Sequence, residues 1–453
     1  MGDAVQLSSA EESCHRRIVQ STPLEVLQQA QSAAEHQDWT LLNHHLQQLL
    51  GDGSSTYPGV APSPLLLNLA LQSLELGDFQ DRWEVAKLFS SFGDAAIAPL
   101  LDLLQNQDAD SEAQWFAIRI LGKFNHPKVV TALVNLLKAS SNEELNSMAV
   151  TALATMDSGA IEILTELIDQ DHTRRLATQT LAQIRRPETL PLLQKVVNDE
   201  DAQVRTLAIE ALSSFHNSEI SRLLIKALKD PAVMVRRAAV TGLGFCGADV
   251  AELDLVSHLR PLLLDLNLEV CRQTAIALGR LGTPDATSTL FQSLQSPHTP
   301  ALLAIELVRA LGWIGTSEAL HYLQRSLIQI SLAESVCQEV LTVLGRVDQP
   351  DQKRQATQIL LDLLQQEGIF ARSVSARQAI ALALGQLGEI TALDSLINLL
   401  ADPDVGVRLH VISALKALSP DSAHQRLEQL SKSGDPGSEL GRGVAIALQE
   451  WQL

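Results

Sequence analysis

A small residue followed by Leu recurs along this chain at intervals of roughly 32 residues, which restricts the fold to one supersecondary unit stacked repeatedly on copies of itself. The anchoring leucines are Leu121, Leu153, Leu181, Leu212, Leu243, Leu278, Leu311, Leu344, Leu384, Leu415 and Leu448. The preceding residue is usually Ala or Gly, as at Ala152, Ala211, Gly242, Ala277, Ala310, Ala383, Ala414 and Ala447. Gly follows the Leu at Gly122, Gly244, Gly279, Gly312, Gly345 and Gly385. Small residues on both sides of a buried Leu let neighbouring helices approach closely.

Each unit reads as two helices. The segment Glu200–Phe215 places Val204, Ala208, Ala211 and Leu212 on one stripe of a 3.6-residue helix, and Ser218–Asp230 carries a second stripe through Ile220, Leu223, Leu224 and Leu228. Asp230-Pro231 and Asp402-Pro403 are read as stop and restart signals. The residue before Pro is pushed out of the helical region, and Pro suits the first turn of the next helix. Gly282-Thr283-Pro284 has the same role. A pair of short helices cannot bury both stripes alone, so the pairs stack.

Composition agrees with this. Apolar residues make up 46% and aromatics only 4%, so the core is aliphatic. With 34 Lys+Arg against 53 Asp+Glu the net charge is −19, which disfavours nucleic acid and anionic lipid as partners. No apolar run is long enough to insert into a membrane. The first 23 residues lack the features of a secretory signal, and Gln6 stands where a myristoylation signal has Ser or Thr. Cys14, Cys246, Cys271 and Cys337 show no paired spacing, so a reducing, cytoplasmic location is expected.

The expected fold is all-α, an α-solenoid or superhelix of about twelve helical hairpins spanning residues 65–453. Residues 1–23 are expected to be disordered or loosely held, 24–50 to form a separate helical pair, and the Gly/Ser/Pro stretch 51–64 to act as a linker. The long interval before Leu384 requires an insertion, read as an extra loop over Gly368–Ser373.

The pattern D-x-x-V-R-x-x-A-x-x-A-L at Asp201–Leu212 and Asp404–Leu415 resembles HEAT repeats, most closely the short-period kind of the phycobilisome bilin lyases of the E/F type. Gly77–Lys87 is similar to the start of cyanobacterial relatives of those lyases. The resemblance implies a protein-binding solenoid. Among such relatives are lyase or isomerase subunits, phycobilisome-degradation factors and an adaptor for an iron–sulfur carrier.

Arg174, Arg205, Arg236, Arg377 and Arg408 each stand seven residues before an anchor Leu, about 20° from it around the helix, beside the buried stripe. They are assigned a structural role. In the HEAT family the corresponding Arg braces an acidic turn of a neighbouring unit, and Asp201, Asp230 and Asp404 are the available acceptors. The same slot holds Cys271, Ala304 and Cys337 in the middle of the chain, where the units must be held together differently.

The face that is concave in this family carries Trp115, Arg119, Arg175, Glu210, Arg237, Thr241, Arg272, Glu306 and Arg309. Arg175, Arg237, Arg272 and Arg309 would form a basic strip suited to an acidic partner surface, with Trp115 as an aromatic anchor. The twelve His are scattered and no C-x-x-C or H-E-x-x-H pattern occurs, so no metal site is expected. Cys246 and Cys271 read as small buried hydrophobes. No phosphate loop, dinucleotide fingerprint or nucleophile elbow is present, and no catalytic residue is assigned. Trp115, Trp313 and Tyr322 are the aromatics available to a small pocket.

These readings converge on a scaffold, adaptor or assembly factor that binds other proteins, linked through the resemblance to phycobilisome or iron–sulfur assembly, with no cofactor. The alternative is a bilin lyase or isomerase subunit that attaches a linear tetrapyrrole to phycobiliprotein cysteines.

Overall fold

From Pro64 onward, pairs of antiparallel helices follow one another along the chain, twelve pairs among the described residues, with no strand. The computed structural model describes every residue except 1–21, 51–60, 107, 141, 157, 247–251, 330–331, 367–368 and 452–453. The expectations for 1–23 and 51–64 therefore fall largely outside the described residues. The chain divides into two units, residues 1–196 and 197–453. No helix among the described residues is long and apolar enough to cross a membrane.

In the first unit, helices Pro23–Glu35 and Trp39–Leu50 pack on each other and on the pair Pro64–Leu76 and Phe79–Ala86. Thr22 starts the first of these with a reciprocal cap, its hydroxyl accepting from Glu25 N while the Glu25 carboxylate accepts from Thr22 N. Asn43 on the second helix donates to the Asp81 carbonyl at 2.9 Å and accepts from Ser73 Oγ at 2.8 Å, so this pair is joined to the next by buried hydrogen bonds.

In the second unit the anchor leucines lie on the second helix of each pair: Ala202–Leu212, Val233–Leu243, Leu268–Leu281, Ala301–Ile314, Glu334–Gly345, Val374–Leu387, Val405–Leu418 and Glu439–Trp451. Leu243, Leu278, Leu311, Leu344, Leu384 and Leu415 are all fully buried. The small residues around them meet across the seams. A Cβ on Gly279 would lie 3.0 Å from Ala310 Cβ, on Gly345 2.8 Å from Ala383 Cα, and on Gly385 2.7 Å from Ala414 Cα. The Gly after one anchor Leu thus receives the Ala before the next. Gly122 and Ala152 show the same contact in the first unit.

Two local expectations need correction. Pro231 and Pro403 are not in the first turn of a helix: the helices begin at Val233 and Val405, and both prolines lie in the preceding turn. The Asp before each Pro instead closes an Asx turn, Asp230 accepting from Ala232 N at 2.8 Å and Asp402 from Asp404 N at 2.9 Å. The turn Gly282-Thr283-Pro284 does follow the expected logic. Gly282 caps one helix at φ 62°, Thr283 caps the next, and Pro284 opens it. The insertion before Leu384 is not all loop, because Ile369–Arg372 forms a single helical turn after the long helix Pro350–Gln365.

Candidate partner-binding face

In seven units the residue seven positions before the anchor has one recurring task, which is to donate to a carbonyl of the turn that precedes its helix. Arg205 Nη1 reaches Asp199 O at 2.7 Å, Arg236 Nη1 reaches Asp230 O at 2.8 Å, Arg377 Nη1 reaches Ala371 O at 2.9 Å and Arg408 Nη1 reaches Asp402 O at 2.7 Å. Arg174 does so through Nε to Ile168 O at 2.9 Å. Asn146 in the same slot donates to Ser140 O at 3.0 Å, and Cys271 Sγ to Asp265 O at 3.2 Å. Each acceptor lies six residues earlier, where the turn leaves a carbonyl without a helical partner.

Three of these arginines also reach into the next unit. Arg205 grips Asp230 with both Nε and Nη2 at 2.8 Å, Arg236 grips Asp265 at 2.7 and 2.8 Å, and Arg377 grips Asp402 at 2.6 and 3.1 Å. Of the expected acceptors Asp230 serves in this way, whereas Asp201 and Asp404 cap their own helices, and Asp265 and Asp402 take the other two arginines. Burial alone would raise the Asp230 and Asp265 carboxyls. The guanidinium hydrogen bonds and the amides of Ala232 and Asn267 outweigh it and hold both below the usual carboxylate range. The hydrogen bond that Arg205 donates to Asp230 in turn pushes the Arg205 guanidinium up. Arg174 pairs with Asp171 of its own unit, and the Arg408 fork meets no carboxylate among the described residues.

A further member of the series escaped sequence reading. Arg82 is buried, donates to Leu74 O at 3.1 Å and Glu75 O at 3.0 Å, and pairs with Asp110 at 2.6 Å and with Glu112. It lies seven residues before Phe89, which is fully buried where other units have Leu. That exchange of Phe for Leu concealed the register.

Where the ladder lapses, a second one replaces it on the other side of the same helices. Arg272 donates to Glu306 at 3.0 Å and to its own-helix Glu269 at 2.9 Å. Arg309 donates to the same Glu306 oxygen at 3.2 Å and holds Glu339 with two bonds at 2.9 and 3.2 Å. The chain Arg272–Glu306–Arg309–Glu339 crosses the units that hold Cys271, Ala304 and Cys337. Arg272 and Arg309 are thus internally neutralised, so the expected basic strip does not present them as free cations. Hydrogen bonds, to Glu306 first for Arg272 and to Glu339 first for Arg309, push both groups up.

The remaining residues assigned to this face fall in both units. In the first, the Arg119 guanidinium sits 3.8 Å above the Trp83 ring and 5.7 Å from that of Trp115. Phe79, 52% exposed, stacks beside Trp83, and Phe116 packs edge-on against Phe79, Trp83 and Trp115. Arg175 is exposed on Asp171–Ile184. In the second unit Glu210 and Arg237 are exposed, and the Arg237 guanidinium makes no ion pair with the described residues. Trp313 and Tyr322 occupy different helical layers. Trp313 borders a cavity between second helices, while Tyr322 stacks on Phe291 at 4.3 Å and donates to Glu318. Cys246 and Cys271 are buried, and burial pushes the Cys271 and Cys337 thiols up. Among the described residues no cluster of three or more His, Cys, Asp or Glu is placed to hold a metal ion.

Stacked helical hairpins bound by seam arginines and Gly/Ala contacts define an all-α repeat protein, an α-solenoid. The sequence matches the HEAT-repeat family over residues 97–178, 170–222, 220–306 and 367–449, more than half of the chain, and the protein belongs to that family. No curated protein matches it. Solved structures that it resembles include importin beta, at 14% identity and a TM-score of 0.49, and Kap95p, whose binding induces the switch loops of RanGDP to adopt the GTP-bound conformation, at 15% and 0.50. Each likeness covers 95% of this chain, which spans just under two thirds of the matched chains, at 65% and 66%.

Proposed function

We propose that this chain is a scaffold or adaptor that captures partner proteins on the face of its second helices, favouring partners with acidic contact surfaces and needing no cofactor. The observation that carries this reading is Arg119, held against Trp83 and Trp115 beside the half-exposed Phe79. A half-buried cation framed by aromatic rings from two successive second helices is the composition of an interface hot spot. Exposed Arg237 adds a guanidinium with no ion pair among the described residues. Buried Cys246 and Cys271 fit a reducing cytoplasmic compartment.

The assembly setting, phycobilisome or iron–sulfur, rests on the resemblance of Asp201–Leu212, Asp404–Leu415 and Gly77–Lys87 to the bilin lyase group. Affinity capture with the full chain tests the scaffold reading. Trp115→Ala and Arg237→Glu are expected to lose the specific co-eluting protein while circular dichroism stays unchanged, and undiminished capture by both variants would sink it. Arg272→Glu is a poor probe, since it would place a second carboxylate beside buried Glu306. Mixing the pure chain with phycocyanobilin separates the alternative: transfer of the bilin to an apophycobiliprotein would establish a lyase instead.

A further inference from the structure

The slot two residues after the anchor Leu holds Phe245, Arg280, Trp313 and Arg346 in four successive units, all of them exposed. Ser214 precedes this row and Gln386 follows it, so the alternation of ring and guanidinium is confined to these units. Trp313 is 79% exposed and Phe245 55%, an unusual placement for large rings in a chain so poor in aromatics. The Arg280 guanidinium lies 4.2 Å over the Phe245 ring, which orders it without consuming its hydrogen-bond donors.

Beside Trp313, between helices Leu268–Leu281 and Ala301–Ile314, is an open cavity of about 250 Å³. Ile276, Gly279 and Ala310 give it an apolar lining, and Arg280 and Arg309 stand around it. Glu306 also lines it, but its carboxylate already accepts from Arg272 and Arg309. Arg309 is itself paired with Glu306 and Glu339, so Arg280 and Arg346 are the cations of this row, with no ion pair among the described residues.

Resting on the scaffold reading, we propose that this row is a docking track for an extended acidic segment of a partner protein. An apolar side chain of the segment enters the cavity against Trp313, and flanking carboxylates pair with Arg280 and Arg346. The spacing fits such a ligand. Neighbouring helix axes lie roughly 8–10 Å apart and an extended peptide advances about 3.3 Å per residue, so about every third residue meets one unit. Four units accommodate a segment of about ten residues. A helical partner, rising about 1.5 Å per residue, would need about six residues between contacts and could not turn the same face to successive units.

The probe is a fluorescein-labelled decapeptide with Leu at every third position and Glu elsewhere, compared with its Lys-for-Glu counterpart by fluorescence anisotropy on the full chain. The Glu peptide is expected to bind, the Lys peptide not. Trp313→Ala and Arg346→Glu, both at exposed positions, should each weaken binding about tenfold or more, while Trp451→Ala leaves it unchanged. The proposal is overturned if the Glu peptide fails to bind, if Trp313→Ala binds it normally, or if the Lys peptide binds equally well. A dimer by sedimentation that dissociates on Trp313→Ala would give the track to a second copy, and also overturns it. If the probe fails while Trp115→Ala still abolishes partner capture, this inference falls and the scaffold reading stands; loss of both removes the scaffold reading as well.

Discussion

Arg272 and Glu306 join two successive second helices through a 3.0 Å hydrogen bond, and they do so in the units where the seam arginines are missing. Glu306 is only 8% exposed, and the same carboxylate oxygen accepts from Arg309. The substitution of Cys271 for Arg goes with a change on the acceptor side: the following turn begins Ser296-Pro297, without the Asp found at Asp230, Asp265 and Asp402. Donor and acceptor have lapsed together, and the Arg–Glu chain restores cohesion on the opposite side of the helices.

Glu306→Gln should therefore destabilise the second unit by about 1–3 kcal/mol, since it leaves two guanidinium groups short of a shared charged acceptor. Arg309→Ala, whose side chain is 53% exposed, should cost less than about 1 kcal/mol. Urea midpoints measure both, and equal midpoints for wild type and Glu306→Gln would remove the second ladder from the account.

The seam aspartates set an acid limit. Asp230 and Asp265 are held below their ordinary value in the folded chain, so their contribution is complete above the unfolded value of about 3.9 and is lost as pH falls through the folded one. Thermal midpoints should fall steeply below about pH 4. Asp265→Asn should be less stable at pH 7 and show a shallower acid decline; the same decline as wild type would argue against this origin.

At Gly385 the close approach and helix propensity pull in opposite directions. Ala is favoured over Gly by about 1 kcal/mol in a helix interior, yet a Cβ here would sit 2.7 Å from Ala414 Cα. Overpacking against backbone costs about 1–3 kcal/mol, so Gly385→Ala is expected to be net destabilising. A raised melting temperature would show that the seam has slack.

Arg82→Lys tests the rung hidden by Phe89. Lys keeps the charge but cannot serve Leu74 O, Glu75 O, Asp110 and Glu112 together. A loss of about 1.5–3 kcal/mol is expected, with faster amide exchange localised to residues 64–121. Unchanged exchange there would reduce Arg82 to a surface charge.

The repeat period, the hairpins, the buried leucines and the seam arginines at 205, 236 and 377 were legible in the sequence because each is a local pattern: a stripe 3.6 residues in period, a small residue beside a Leu, a fixed offset between Arg and anchor. Local patterns also showed that the middle units lack the Arg. They did not show what stands in its place. Whether Arg272 and Arg309 were free cations or half of an ion-paired chain depended on Glu306 and Glu339 arriving from neighbouring helices, 34 and 30 residues away. Charge in a sequence is a sum over residues, whereas charge offered to a partner is what remains after packing has paired them. The same holds for Trp313: its spacing put it on a helix, but only the gap between that helix and the preceding one made it the wall of a cavity.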